Sequence, residues 1–223
     1  MFKKFYKKLS AKVVIFDENR EKQIFFEKYL PSNIKIYGGN DNTVYIHRNL
    51  KARNIIIRFA HNCSKSTCIL EDSGDSAGLD IDVTFLPGIN NELKIGKRTG
   101  MNGTKIWLGN GSKCYIGNDC RFSYEIMIRT TDGHTIVEKD TYNIINKQKN
   151  PMIIGDNCWI GLRSIINKNV QLPHDTIVGS GSVVTKKFEE PYCIIAGSPA
   201  KVIKTNVKHY RETIYDFEQC YLS

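Results

Sequence analysis

From residue 154 onward an aliphatic side chain returns at every sixth position: Ile154, Ile160, Ile166, Leu172, Val178 and Val184. Four residues after each of the first five stands a small or β-branched one: Cys158, Ser164, Val170, Thr176 and Ser182. Six is not a helical period, and plain strand alternation does not bring glycine back so regularly after the aliphatic position. Gly155, Gly161 and Gly179 each follow an anchor, where a sharp corner needs an unhindered backbone. The pattern describes a chain that turns a corner every six residues and stacks on itself after three corners. Each coil then buries its large anchor and its small partner against the coils above and below. The same rhythm runs earlier, with Ile95, Met101, Trp107, Ile116 and Phe122 as anchors. The prediction is an all-β parallel solenoid.

The rest of the chain is less regular. Residues 1–33 form a basic N-terminal segment in which DENREKQIFFEKYL predicts an amphipathic helix stopped by Pro31. Residues 34–94 carry short β-rich runs (IKIY, TVYIH, NIIIRF, CIL) that read as irregular early coils of one domain spanning 34–204. Residues 205–223 read as a helical tail that caps the solenoid or packs on a neighbour. Between Ile128 and Ile154 the rhythm fails, and residues 129–153 must leave the surface as a loop. That loop holds His134, preceded by Asp132 and Gly133.

Composition changes the picture in three ways. The chain of 223 residues has 41% hydrophobic and 25% charged residues, ordinary for a globular protein, and its sequence lacks the run of about 18 apolar residues that a membrane span needs. The early apolar run, Val13–Phe16, is too short for a signal-peptide core, so the protein is expected in the cytoplasm. Seven cysteines without a CxxC pair argue against a disulfide framework and against a metal cluster. Cys114, Cys120, Cys158 and Cys193 each stand two residues before an anchor and are expected as buried, inert thiols. The net charge of +9 asks for an anionic partner. No nucleic-acid motif accompanies it, which leaves a phosphate-bearing cofactor, an acidic polysaccharide or the inner-leaflet surface. Lys3, Lys4, Lys7 and Lys8 suit peripheral attachment to the last of these.

TDGHTI, followed by IIGDNCWIG, VGSGSVVTK and IIAGSPAKVIK, resembles the bacterial hexapeptide-repeat O-acetyltransferases, and among them the polysaccharide branch that includes the polysialic acid enzymes. The resemblance covers residues 95–204. It implies a left-handed β-helix with a protruding catalytic loop and short terminal helices. It also implies a homotrimer with active sites between subunits, and acetyl-CoA lying along the C-terminal coils as donor. By matching positions it implies His134 as general base and Asn102 and Trp159 as acceptor contacts. Leu162, Ser180, Thr185, Lys186, Lys201 and Lys204 match family CoA contacts, and KKFEEPY carries one residue more than the usual TKDIPP just before the last two. No match for a distant carboxylate that orients the histidine is found; Asp132 is a local candidate.

The chemistry is consistent with those assignments. A sugar hydroxyl is a poor nucleophile until its proton is leaving, and imidazole titrates in the right range to take it. No serine or cysteine nucleophile stands in a recognisable elbow, which favours direct attack in a ternary complex. A zinc hydratase on the same architecture needs three converging histidines, and only His134 lies in a suitable loop. The acceptor expected is a bacterial surface polysaccharide or its sugar precursor. A small sugar or nucleotide sugar, or a non-catalytic scaffold on the same solenoid, are the alternatives.

Overall fold

The computed structural model describes residues 11–19, 22–25, 30–39 and 41–222. These residues build a left-handed parallel β-helix with three faces, as the six-residue repeat predicts. Trp159 pairs with Ile177 and Ile165 with Val183, so one regular coil is 18 residues, three corners of six. The first face is an eight-stranded sheet running from Lys22–Phe25 through Lys12–Phe16, Thr43–His47, Thr67–Leu70, Glu92–Ile95, Lys113–Ile116 and Met152–Ile154 to Gln171–Leu172. The second and third faces form one folded sheet, because Ala52–Phe59, Leu79–Phe85 and Gly100–Leu108 run across the corner between them. Above those long strands the corner opens. Arg121–Tyr124, Trp159–Ile160, Thr176–Val178 and Cys193–Gly197 continue the second face, and Met127–Arg129, Ile165–Ile166 and Val183–Val184 continue the third.

The core is the stack of the two columns read from the sequence. Ile154, Ile160, Ile166, Leu172, Val178 and Val184 are all buried, and so are Cys158, Ser164, Val170, Thr176 and Ser182. Each large aliphatic side chain so buried contributes about 1.5–3 kcal/mol. Cys114, Cys120, Cys158 and Cys193 occupy the small slot and are fully buried, together with Cys63 and Cys68. Glycine is required at the corners for a concrete reason. A Cβ on Gly161 would lie 2.6 Å from both the Ser180 nitrogen and the Val178 carbonyl oxygen, and one on Gly155 would lie 2.5 Å from the His174 nitrogen.

Three expectations are corrected. Trp107 is not an inward anchor: it is exposed, and Ile106 and Leu108 are buried in its place. The strand Gly100–Leu108 slips register between Asn102 and Thr104, around Gly103 at φ +70°, and one extra residue flips the inward parity of everything after it. The N-terminal helix is contradicted at Lys22–Phe25, which is a strand paired antiparallel with Lys12–Phe16. Pairing with a sheet edge outweighs a weak helical preference there; residues 26–29 of the same stretch, and Lys3, Lys4, Lys7 and Lys8, lie outside the described residues. The tail is helical only over Ile214–Tyr221, with Thr213 as N-cap, and the residues before it lie along the solenoid's own surface. No helix among the described residues is long and apolar enough to cross a membrane.

Candidate active site

The loop between Arg129 and Met152 is a folded arm. Ile136 and Ile145, and Glu138 and Asn143, face each other through backbone hydrogen bonds of 2.9 and 3.0 Å, with an antiparallel bridge between Val137 and Ile144. Its base is pinned by side chains. Asn146 donates from Nδ2 to the Asp132 carboxylate at 2.9 Å and to the His134 carbonyl at 2.8 Å, and its Oδ1 accepts from the Ile136 amide at 2.9 Å. Lys168, on the next coil, pairs with the same Asp132 carboxylate, and Arg129 donates to the Asp132 carbonyl at 3.1 Å. Gly133, at φ +83°, makes the turn that delivers His134 to the surface, where it is exposed.

Asp132 therefore binds Lys168 and Asn146 through its carboxylate, and its part is to fasten the arm. Partial burial pushes its carboxyl upward; the hydrogen bonds from Lys168 and Asn146, with the charges of Lys168 and Arg129, outweigh that and hold it below the usual carboxylate range. A carboxyl depressed in the folded state stabilises the arm above its unfolded value and releases it as pH falls through the folded one.

Asn102 and Trp159 meet on the second face. Together with Ala77, Gly100, Arg121, Phe122 and Ser123 they line a cleft of about 220 Å³. Trp159 precedes the inward Ile160 and so points outward; Arg121 precedes the inward Phe122 and stands directly beneath it in the ladder. Gly100, in the rung below, has no side chain, which hollows the cleft under Arg121. Asn102 is held from both ends: Arg53 donates to its Oδ1, and its Nδ2 donates to the Phe122 carbonyl at 3.2 Å. Sequence reasoning missed Arg121 and Arg53. A residue just before an inward anchor points outward, which holds for Arg121 as it does for Trp159, so a signal was present. Arg53 lies in an early coil where no period was readable.

The other predicted residues are distributed along the upper coils. Leu162 and Ser180 share the corner between the second and third faces, where the Leu162 carbonyl accepts from the Gly181 amide at 2.7 Å. Thr185 and Lys186 follow Val183–Val184 at the opposite corner of the third face, with the Lys186 ammonium 5.4 Å from the centre of the Phe188 ring. Lys201 and Lys204 are exposed on Ala200–Thr205, which pairs antiparallel with Cys193–Gly197. His134 is not among the residues lining the Asn102–Trp159 cleft: the arm leaves from the far end of the third face and the cleft lies on the second. A larger hollow of about 520 Å³ on the first face, beside Glu92, Lys94, Tyr115 and Asp156, contains none of the predicted residues.

No sequence-family model matches this chain, and no curated protein does. Solved structures do. The chain is 31% identical to the polysialic acid O-acetyltransferase OatWY, with a TM-score of 0.68 over 86% of this chain and 92% of that one. It is 24% identical to the polySia-specific acetyltransferase NeuO, with a TM-score of 0.53 over 93% of this chain and 95% of that one.

Proposed function

This chain belongs to the hexapeptide-repeat acetyltransferases, in the branch of the polysialic acid O-acetyltransferases, and from that membership we propose that it moves acetyl from acetyl-CoA to a hydroxyl of a bacterial surface polysaccharide or its sugar precursor. The observation that carries the reading is the convergence of Asn102 and Trp159, named separately from sequence, on one cleft. Arg121 lines that cleft and Arg53 binds the Asn102 that lines it, and guanidiniums there suit an acceptor that bears carboxylates.

Acetyl-CoA supplies the activated acyl group, and the chain's own residues do the rest. The cleft orients the acceptor through Asn102 and against the Trp159 indole. His134 takes the proton from the acceptor hydroxyl as its oxygen bonds to the acetyl carbon; the carbon–sulfur bond breaks, and the proton passes from the imidazolium to the departing thiolate. Leu162 and Ser180 on one corner, Thr185 and Lys186 on the other, and Lys201 and Lys204 on the closing strand frame the donor, the lysines toward its phosphates.

The working enzyme in this reading is a homotrimer. The arm exposes Ile136, Val137, Tyr142, Ile144 and Ile145, an apolar surface that asks for a protein neighbour. A neighbour seated there brings its own cleft to the His134 of the first subunit, which a single chain keeps on different faces. The test is acetyl transfer to an acidic and a neutral oligosaccharide series, with wild type and His134→Ala, at protein concentrations above and below trimer dissociation measured by ultracentrifugation. His134→Ala is expected to lower turnover by about 10²–10⁴. Wild-type turnover in folded His134→Ala, or full activity of a monomer, refutes the reading.

A further inference from the structure

Beyond Thr205 the chain turns and runs down the corner between the first and second faces, touching one coil after another. The Val207 amide donates to the Tyr192 carbonyl at 2.9 Å, and the Lys208 ammonium lies 4.0 Å from the Asp175 carboxylate. His209 is 9% exposed, with Nε2 2.8 Å from the Asn157 carbonyl oxygen. Arg211 then reaches three partners: Asp75 at 2.6 Å, Asp119 at 2.7 Å and the Arg98 carbonyl at 3.3 Å. Hydrogen bonding from Arg211, and then its charge, holds the Asp75 carboxyl below the usual carboxylate range. Residues 207–211 thus form a strap whose partners lie up to 136 positions away in sequence.

Two of those contacts lead into the cleft. The His209 ring centre is 6.0 Å from that of Trp159, an indole still 45% exposed. The Arg98 carbonyl that accepts from Arg211 also accepts from Arg121 Nη1 at 2.7 Å, and Arg98 itself grips Asp119 through two bonds of 2.9 and 2.6 Å. The strap therefore abuts one large lining side chain directly and shares an anchor with the other. If the strap served only to fasten the stack, its loss would lower stability and affect both substrates alike.

We propose that residues 207–211 are a specificity strap, in which His209 and Arg211 act as positioning residues that fix Trp159 and Arg121 and so set the shape of the acceptor cleft. The proposal rests on the acceptor role given to that cleft above. Its test uses the full chain in a Trp107→Phe background, which leaves Trp159 as the single tryptophan of the two present. His209→Ala, Arg211→Ala and His209→Gln, the last retaining a donor toward the Asn157 carbonyl, are compared with that parent by acrylamide quenching and by steady-state kinetics. Both alanine variants are expected to raise the acceptor KM by about 5- to 30-fold, and to change the acetyl-CoA KM by less than about twofold. Trp159 should become more quenchable in His209→Ala, and His209→Gln should recover most of both effects. Equal changes in the two KM values, or no change in either together with unaltered quenching, overturns the strap. If the parent acetylates no glycan, the acetylation reading falls and quenching alone decides: unaltered Trp159 accessibility in both alanine variants refutes the positioning role. Should His209→Ala fail to fold, Arg211→Ala, at the exposed end of the strap, carries the same two readouts.

Discussion

Replacing Asn146 with alanine removes the hub of the arm that carries His134, the base of the proposed mechanism. Three bonds go at once: to the Asp132 carboxylate, to the His134 carbonyl and from the Ile136 amide. Bonds of this kind contribute about 0.5–1.5 kcal/mol each, and the one to the carboxylate somewhat more. The arm is exposed, so water replaces part of what is lost. Global stability should fall by no more than about 1 kcal/mol, because none of the buried columns is touched. The effect on turnover should be larger. His134 rides on the carbonyl that Asn146 holds, and a misplacement of about 1 Å in a reacting group lowers the rate by about 10²-fold. Turnover of Asn146→Ala is therefore expected to drop by about 10- to 100-fold, with the melting temperature within a few degrees and acetyl-CoA affinity unchanged. The assay is single-turnover transfer to the best acceptor, with acetyl-CoA binding followed by calorimetry. Wild-type turnover in Asn146→Ala, alongside an inactive His134→Ala, would show that the pinning network does not set the position of the base.

Neutralising Lys201 and Lys204 together to methionine should raise the KM for acetyl-CoA and flatten its dependence on salt, leaving acceptor KM alone; an effect confined to the acceptor would assign this charge to the glycan. Gly161→Ala should destabilise the fold by about 1–3 kcal/mol, read by urea unfolding, since the added carbon meets backbone of the next coil at 2.6 Å; a neutral effect would refute the close approach of these corners. Of the seven cysteines only exposed Cys220 should react with a thiol reagent in the native protein, the other six being buried, with burial pushing the Cys114 thiol up to about 12. Native titration of more than one thiol per chain would mean that the inner column opens.

The part of the fold legible in the sequence is the part whose coils are 18 residues long. Ile160 and Val178, or Ile166 and Val184, are spaced by the geometry of one turn, so burial and period coincide. The early coils hide the same architecture because their corners are longer: Thr43 pairs with Thr67 and Thr67 with Glu92, separations of 24 and 25 residues. Trp107 was misread because a single bulge at Gly103 shifts parity by one, and hydrophobicity alone does not announce a bulge. Within the candidate site, Trp159 was named by its match to the family motif, and its place one residue before an anchor agrees with its exposure. Asn146, Lys168, His209 and Arg211 were not, since their partners are chosen by stacking. Lys168 meets Asp132 across 36 residues and His209 meets Asn157 across 52, and no local pattern encodes such distances.

A stack of parallel rungs has an intrinsic hazard: each rung is a template for the next, and an unfinished end would accept a rung from another molecule as readily as from its own. The strand Ala200–Thr205 runs backwards against Cys193–Gly197, and Lys22–Phe25 runs backwards against Lys12–Phe16. A rung arriving in the sense of the stack would have to pair antiparallel with that strand, which breaks the parallel repeat, and the exposed Lys201 and Lys204 add charge to that border. Among the described residues, the second face at its top and the first face at its bottom thus end on a strand that interrupts the parallel repeat. By its direction and its charge, the closing strand Ala200–Thr205 does for this stack what a capping unit does in other solenoids: it ends the repeat.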